Sequence, residues 1–170
     1  AEKIEKNEER KFENLTHSID EKGNETFSNN SRTLTVQKLF DEFLIKLDGN
    51  LYCSIKNENA LNNTSIKVFY SEKTKNWCVL TSEGNGALII PSKGSIKISL
   101  EKQINLESVA FYNDRLYIPE DKKLVILEII TKITKQMECN LITADSKIFD
   151  VNKQGFFVNT ETNIYNVHQI

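Results

Sequence analysis

The stretch DRLYIPEDKKLVIL, residues 114–127, admits two folds. Pro119, Glu120 and Asp121 suit the first turn of a helix whose apolar face would run through Ile126, Ile129, Ile130, Ile133 and Met137. They suit equally the tight turn of a hairpin between RLYI and KLVIL. Self-comparison separates the two. ALIIPSKGSIKIS (residues 87–99), RLYIPEDKKLVIL (115–127) and GFFVNTETNIYNV (155–167) each hold an apolar run, a Pro or Asn, a polar turn and a second strand-like run. Leu88, Leu116 and Phe156 correspond, as do Ile90, Ile118 and Val158, and then Ile96, Leu124 and Ile164. PSKG and NTET cannot both open helices inside units this short, so PEDK is expected to be a hairpin turn, although LVILEIITKITKQME also keeps a helical stripe.

Working outward, the chain from Leu51 onward reads as short runs of Ile, Val, Phe, Tyr and Leu broken by Asn, Asp, Lys and Gly. That pattern predicts a β-rich, antiparallel, repeat-like domain over residues 49–170. Upstream, residues 1–33 are expected to be a charged helical arm followed by a linker, GNETFSNNSRT at 23–33. Between them, TVQKLFDEFLIKLDGN places Val36, Leu39, Phe40, Phe43, Leu44 and Leu47 at the spacing of one helical face, so residues 34–48 are predicted to be an amphipathic helix. Those six side chains are the candidate partner-binding face, and the N-terminal helices are a candidate route to oligomerisation.

The chain of 170 residues carries a formal charge of −2 with 27% charged residues, without the basic excess typical of nucleic-acid binders. Lysines at 67, 73, 75, 93, 97, 102, 122, 123, 132 and 135 alternate with aromatic residues, so nucleic acid stays open as a minor alternative. Runs such as LVILEII are too short to cross a bilayer, so no membrane insertion is expected. No signal-peptide pattern opens the chain, and Ala1 in place of Met suggests processing or excision. Cys53, Cys78 and Cys139 form no C-x-x-C pair and no even disulfide framework, which favours reduced thiols and an intracellular protein. Sequon triplets at Asn14, Asn24, Asn29, Asn62 and Asn63 follow from the Asn-rich composition.

VAFYNDRLYIPEDKKLVILEIITKITKQMEC, residues 109–139, resembles one blade of a β-propeller of the WD-repeat-like or YVTN kind. IKVFYSEKTKNWCVL resembles the outer hairpin of a neighbouring blade, with Tyr70 and Trp77 flanking the turn as the aromatic pair does in kelch-like repeats. The resemblance implies a partial or small propeller, with Tyr70 and Trp77 as further candidate contact residues. The Trp-Asp dipeptide, the Gly-His pair and the kelch double glycine are absent from the sequence. VFYSEKTKNWCVLTSEGNGALII is also similar to the first hairpin of Ran-binding and EVH1 domains, which would imply an α+β barrel or sandwich of the pleckstrin-homology superfold.

No catalytic motif stands out. His17 and His168 neighbour no cysteine or carboxylate cluster in sequence, EGNGAL is a lone G-x-G, and Glu120 with Asp121 is an ordinary solvated turn. Cys78 beside Trp77 reads as a buried thiol. The expectation is therefore a non-enzymatic protein–protein interaction module, a scaffold or subunit of an intracellular complex, with no cofactor and no metal. The alternatives are a ligand-binding or enzymatic domain with a site built from loops, and a nucleic-acid-binding subunit.

Overall fold

The computed structural model describes residues 2–4, 15–57, 64–160 and 163–168, and these are mainly antiparallel β. After strand β1 (Glu2–Ile4), the first sheet is a five-stranded meander: β2 (Thr16–Ile19), β3 (Glu25–Ser28), β4 (Thr33–Lys38), β5 (Glu42–Leu47) and β6 (Asn50–Lys56). The second holds β7 (Ile66–Tyr70), β8 (Trp77–Thr81), β9 (Asn85–Ile90) and β10 (Gly94–Ser99). A 3-10 turn, Leu106–Ser108, capped by the Asn105 side chain, leads into the third sheet: β11 (Ala110–Tyr112), β12 (Arg115–Glu120), β13 (Lys123–Glu128) and β14 (Ile133–Glu138). The fourth comprises β15 (Lys147–Asn152), β16 (Gly155–Asn159) and β17 (Ile164–His168), and β1 pairs with β17 to complete it.

The expected helix over residues 34–48 is instead the β4–β5 hairpin, and the physical reason is alternation. Leu34 and Val36 face Leu47 and Ile45 across the pair, and all four are buried, while Thr33, Thr35 and Lys46 point the other way. The helical stripe omits Leu34 and Ile45, which are fully buried, and includes Leu39 and Phe40, which are exposed. Thr33, Thr35, Val36 and Ile45 are β-branched, which costs helix propensity and suits a pleated surface. The linker assigned to residues 23–33 contains β3 and the turn into β4, so it is part of the sheet. Residues 5–14 of the predicted helical arm lie outside the described residues; those on either side, β1 and β2, are strands. Among the described residues the four sheets are open rather than closed on themselves, in place of the barrel expected from the pleckstrin-homology likeness.

Two compact units divide the chain, Glu13–Ile104 and Ala1–Phe12 with Asn105–Ile170. In the first, the inner faces of the first and second sheets share one core. Leu34, Val36, Phe43 and Ile45 pack in the same cluster as Val68, Trp77, Val79 and Ile89. A bulge in β6 locks the two sheets together. Ile45 pairs with Cys53 but Lys46 with Leu51, which leaves Tyr52 as the extra residue. Its hydroxyl accepts the Ser92 N–H at 2.9 Å, and its carbonyl accepts the Ser95 hydroxyl at 3.4 Å.

In the second unit, Tyr117 and Leu124 of the third sheet cluster with Ile148, Phe156, Val158 and Val167 of the fourth. The Tyr117 and Phe156 rings lie 6.2 Å apart. PEDK is a hairpin turn: Glu120 pairs with Lys123, and Lys122 takes the left-handed conformation at φ 59°. Leu124 pairs with Met137 across β13 and β14, so the helical alternative for this stretch is not adopted. All three look-alike windows are hairpins. Those at 115–127 and 155–167 form the second and third strands of their meanders, and the one at 87–99 forms the third and fourth.

Candidate functional site

The β4–β5 turn is the first place where the fold leaves chemistry on offer. Beside Asp41, an ordinary turn residue, Leu39 and Phe40 occupy positions where turns usually carry Gly, Asn, Asp or Ser. Phe40 is 74% exposed and Leu39 40%. The tip is nonetheless braced from three directions. The Leu39 N–H reaches the Glu42 carbonyl at 2.9 Å, the Lys38 N–H reaches the Asn24 side-chain oxygen at 2.8 Å, and the Asn57 N–H reaches the Asp41 carbonyl at 2.9 Å. Beneath it, the nearly buried Glu25 carboxylate accepts from Lys38 Nζ at 3.0 Å and from His17 Nε2 at 2.8 Å. His17 also stacks on Phe27 with ring centroids 4.3 Å apart. This His17–Glu25–Lys38 cluster was not legible in the sequence, because only the β2–β3–β4 pairing brings the three together.

At the opposite end of the same sheet lies a cleft of about 440 Å³ lined by Asn29, Asn30, Ser31, Arg32, Tyr70, Glu72, Lys75 and Pro91. Three connections build it: the β3–β4 turn, the β7–β8 loop and the β9–β10 turn. Asn29 shapes the first, its side-chain oxygen accepting the Ser31 and Arg32 N–H groups at 2.8 and 2.7 Å. Arg32 is held at 2.9 Å by Asp48, whose other oxygen accepts the Thr33 N–H. In the second connection the Ser71 N–H donates to the Asn76 carbonyl at 2.9 Å, and the Lys75 N–H to the Ser71 carbonyl at 2.7 Å. This fixes Lys75 in a left-handed conformation at φ 65°. Lys75 Nζ donates to Glu72 at 3.1 Å. That hydrogen bond, and then the nearby Tyr70 phenol, hold the ammonium above the ordinary lysine range.

The eight residues singled out from the sequence separate. Val36, Phe43, Leu47, Tyr70 and Trp77 share the core of the first unit. Leu39 and Phe40 stand at the exposed tip, and Leu44 is half-buried on the outer face of β5. Trp77 is 0% exposed, whereas Tyr70, its cross-strand partner, keeps an edge on the cleft. Burial pushes the Cys53 thiol up, and none of Cys53, Cys78 and Cys139 is in a disulfide. Among the described residues, no group of three or more His, Cys, Asp or Glu side chains is placed to hold a metal ion. No helix among the described residues is long and apolar enough to cross a membrane. Lys123 is paired with Glu120 at 3.4 Å, and Lys67 sits over the Phe69 ring at 4.9 Å, so these two lysines serve the fold itself. The His168 side chain lies outside the described residues.

Comparison with known protein families, with curated proteins and with solved structures gives no match.

Proposed function

We propose that the chain is a non-enzymatic interaction module, a scaffold or subunit of an intracellular multiprotein complex, and that it meets a partner through the Leu39–Phe40 tip. One observation carries this: a large aromatic side chain is held mostly in solvent on a braced turn, where little of it is buried. Aromatic anchors that are rigid before contact lose little conformational entropy on binding, and such residues supply most of the affinity at protein interfaces. The finer architecture we propose is a partial or small β-propeller. It is supported by the four-stranded meanders, by the face-to-face core within each unit, and by β1 completing the last sheet. That Cys53, Cys78 and Cys139 are in no disulfide favours an intracellular setting.

The test is site-specific photocrosslinking in the cell of origin, with the crosslinker at position 40 and, as control, at the exposed Lys97. A discrete partner trapped only from position 40, and displaced by the unlabelled protein but not by its Phe40→Ser variant, is the expected result. Equal labelling from both positions contradicts the assignment. A second reading, a binding site built from loops, is favoured by the cleft between the β3–β4, β7–β8 and β9–β10 connections. Thermal shifts against a metabolite panel report on it directly, since a ligand that binds only the native state raises the midpoint.

A further inference from the structure

We infer that the cleft formed by Asn29–Arg32, Tyr70, Lys75 and Pro91 receives an extended segment of a partner protein that carries an aspartate or glutamate side chain. The inference concerns a site separate from the Phe40 tip and does not depend on it.

The lining is rich in donors. Arg32 commits one guanidinium nitrogen to Asp48, and Lys75 commits its ammonium to Glu72. A guanidinium has five N–H donors and an ammonium three, so each keeps capacity for a second acceptor. Asn30 and Ser31 add a side-chain amide and a hydroxyl to the same wall. The acids facing these cations are Glu72, which lines the cleft, and Asp48, which stands behind Arg32. The side chains of Glu72 and Lys75 are 73% and 66% exposed, so their pair is worth little in water, and a partner carboxylate can replace Glu72 at Lys75 at small cost. Tyr70 and Pro91, which also line the cleft, add apolar surface to it. This suits a segment in which the acid is flanked by an apolar residue. The backbone bonds that fix Ser71–Asn76 and Asn29–Arg32 hold in place the two connections that carry these donors, which lowers the backbone part of the ordering cost of binding.

The experiment measures fluorescence anisotropy of short labelled peptides that are identical except for Glu, Gln, Lys or phosphoserine at the central positions, each flanked by Leu and Gly. The Glu peptide is expected to bind about tenfold tighter than the Gln peptide, as one charge-assisted contact provides. That preference should shrink between about 0.05 M and about 0.5 M salt. Asn30→Asp, which places a carboxylate in the cleft without touching the Arg32–Asp48 pair, should lower the affinity by about tenfold with an unchanged melting temperature. Lys75→Gln should act in the same direction, and Phe40→Ser should leave peptide binding intact. Equal affinity for the Glu and Gln peptides, a preference for the Lys peptide, binding of the phosphoserine peptide alone, or indifference to Asn30→Asp would each overturn the inference.

Discussion

Trp77 stands directly opposite Tyr70 across β7 and β8, with ring centroids 4.8 Å apart and planes inclined by 53°. One ring closes the core of the first unit while the other borders the cleft. Trp77 is the only tryptophan in the chain, so its emission reports that core alone. The emission should be blue-shifted and resistant to acrylamide quenching. Trp77→Ala should cost about 3–5 kcal/mol, as deletion of a large buried ring does. Tyr70→Phe should stay within about 1 kcal/mol of the parent in urea melts followed by circular dichroism.

Phe40 and Phe43 are three positions apart, and a helix would place them on one face. In the hairpin they differ: Phe43 is buried and Phe40 is not. Phe43→Ala should destabilise by about 3–5 kcal/mol and Phe40→Ser by no more than about 0.5 kcal/mol. Denaturant unfolding of the two variants side by side checks this, and equal losses would contradict it.

Two glycines share the left-handed conformation but not the same surroundings. Gly84, at φ 89°, leaves no room for a side chain, because a Cβ there would lie 2.3 Å from the Lys102 carbonyl oxygen. Gly49, at φ 84°, has open space around it. Gly49→Ala should cost about 1 kcal/mol, from conformation alone. Gly84→Ala should cost about 2–4 kcal/mol, since the Ser82–Gly84 turn must move as well. Thermal melts rank the pair.

Acid should loosen the β2–β3 turn. The Asp20 carboxylate accepts the Asn24 and Lys22 N–H groups, each at 2.9 Å, and these bonds, that to Asn24 foremost, hold it below the usual aspartate range. Its contribution is therefore complete above the ordinary aspartate pKa and is lost as pH falls through the lowered folded value. The stability difference between the parent and Asp20→Asn should narrow as pH falls below about 4. A difference that widens in acid would refute the role given to Asp20.

The fold was legible in the sequence where one periodicity excluded the other. In RLYIPEDKKLVIL the likeness to two other windows points to a turn, and the turn lies at Asp121 and Lys122. At residues 33–47 the sequence TLTVQKLFDEFLIKL satisfies both periods. A helical stripe passes through Val36, Phe43 and Leu47, and so does the alternating set that also takes in Leu34 and Ile45. The two part at Leu34 and Ile45, which only the alternating set buries, and at Leu39, Phe40 and Leu44, which only the helical stripe includes; at the turn, Leu39 and Phe40 supply apolar side chains in place of a Gly or Asn signal. The candidate sites were less legible, because both depend on distant pairings. Arg32 and Lys75 line one cleft only through the packing of the first sheet on the second, and no short motif records that.

Residues 33–47 form a hairpin that turns Phe43 inward and Phe40 outward, and the remaining features of the first sheet follow from it. The most direct measurement is the nuclear Overhauser pattern of this segment in the isotopically labelled protein. Cross-strand contacts should link Leu34 with Leu47 and Val36 with Ile45, and none should join the Phe40 ring to the core. Contacts of the helical kind, from Val36 to Leu39 and from Phe40 to Phe43, with both phenylalanine rings on one face, would contradict it.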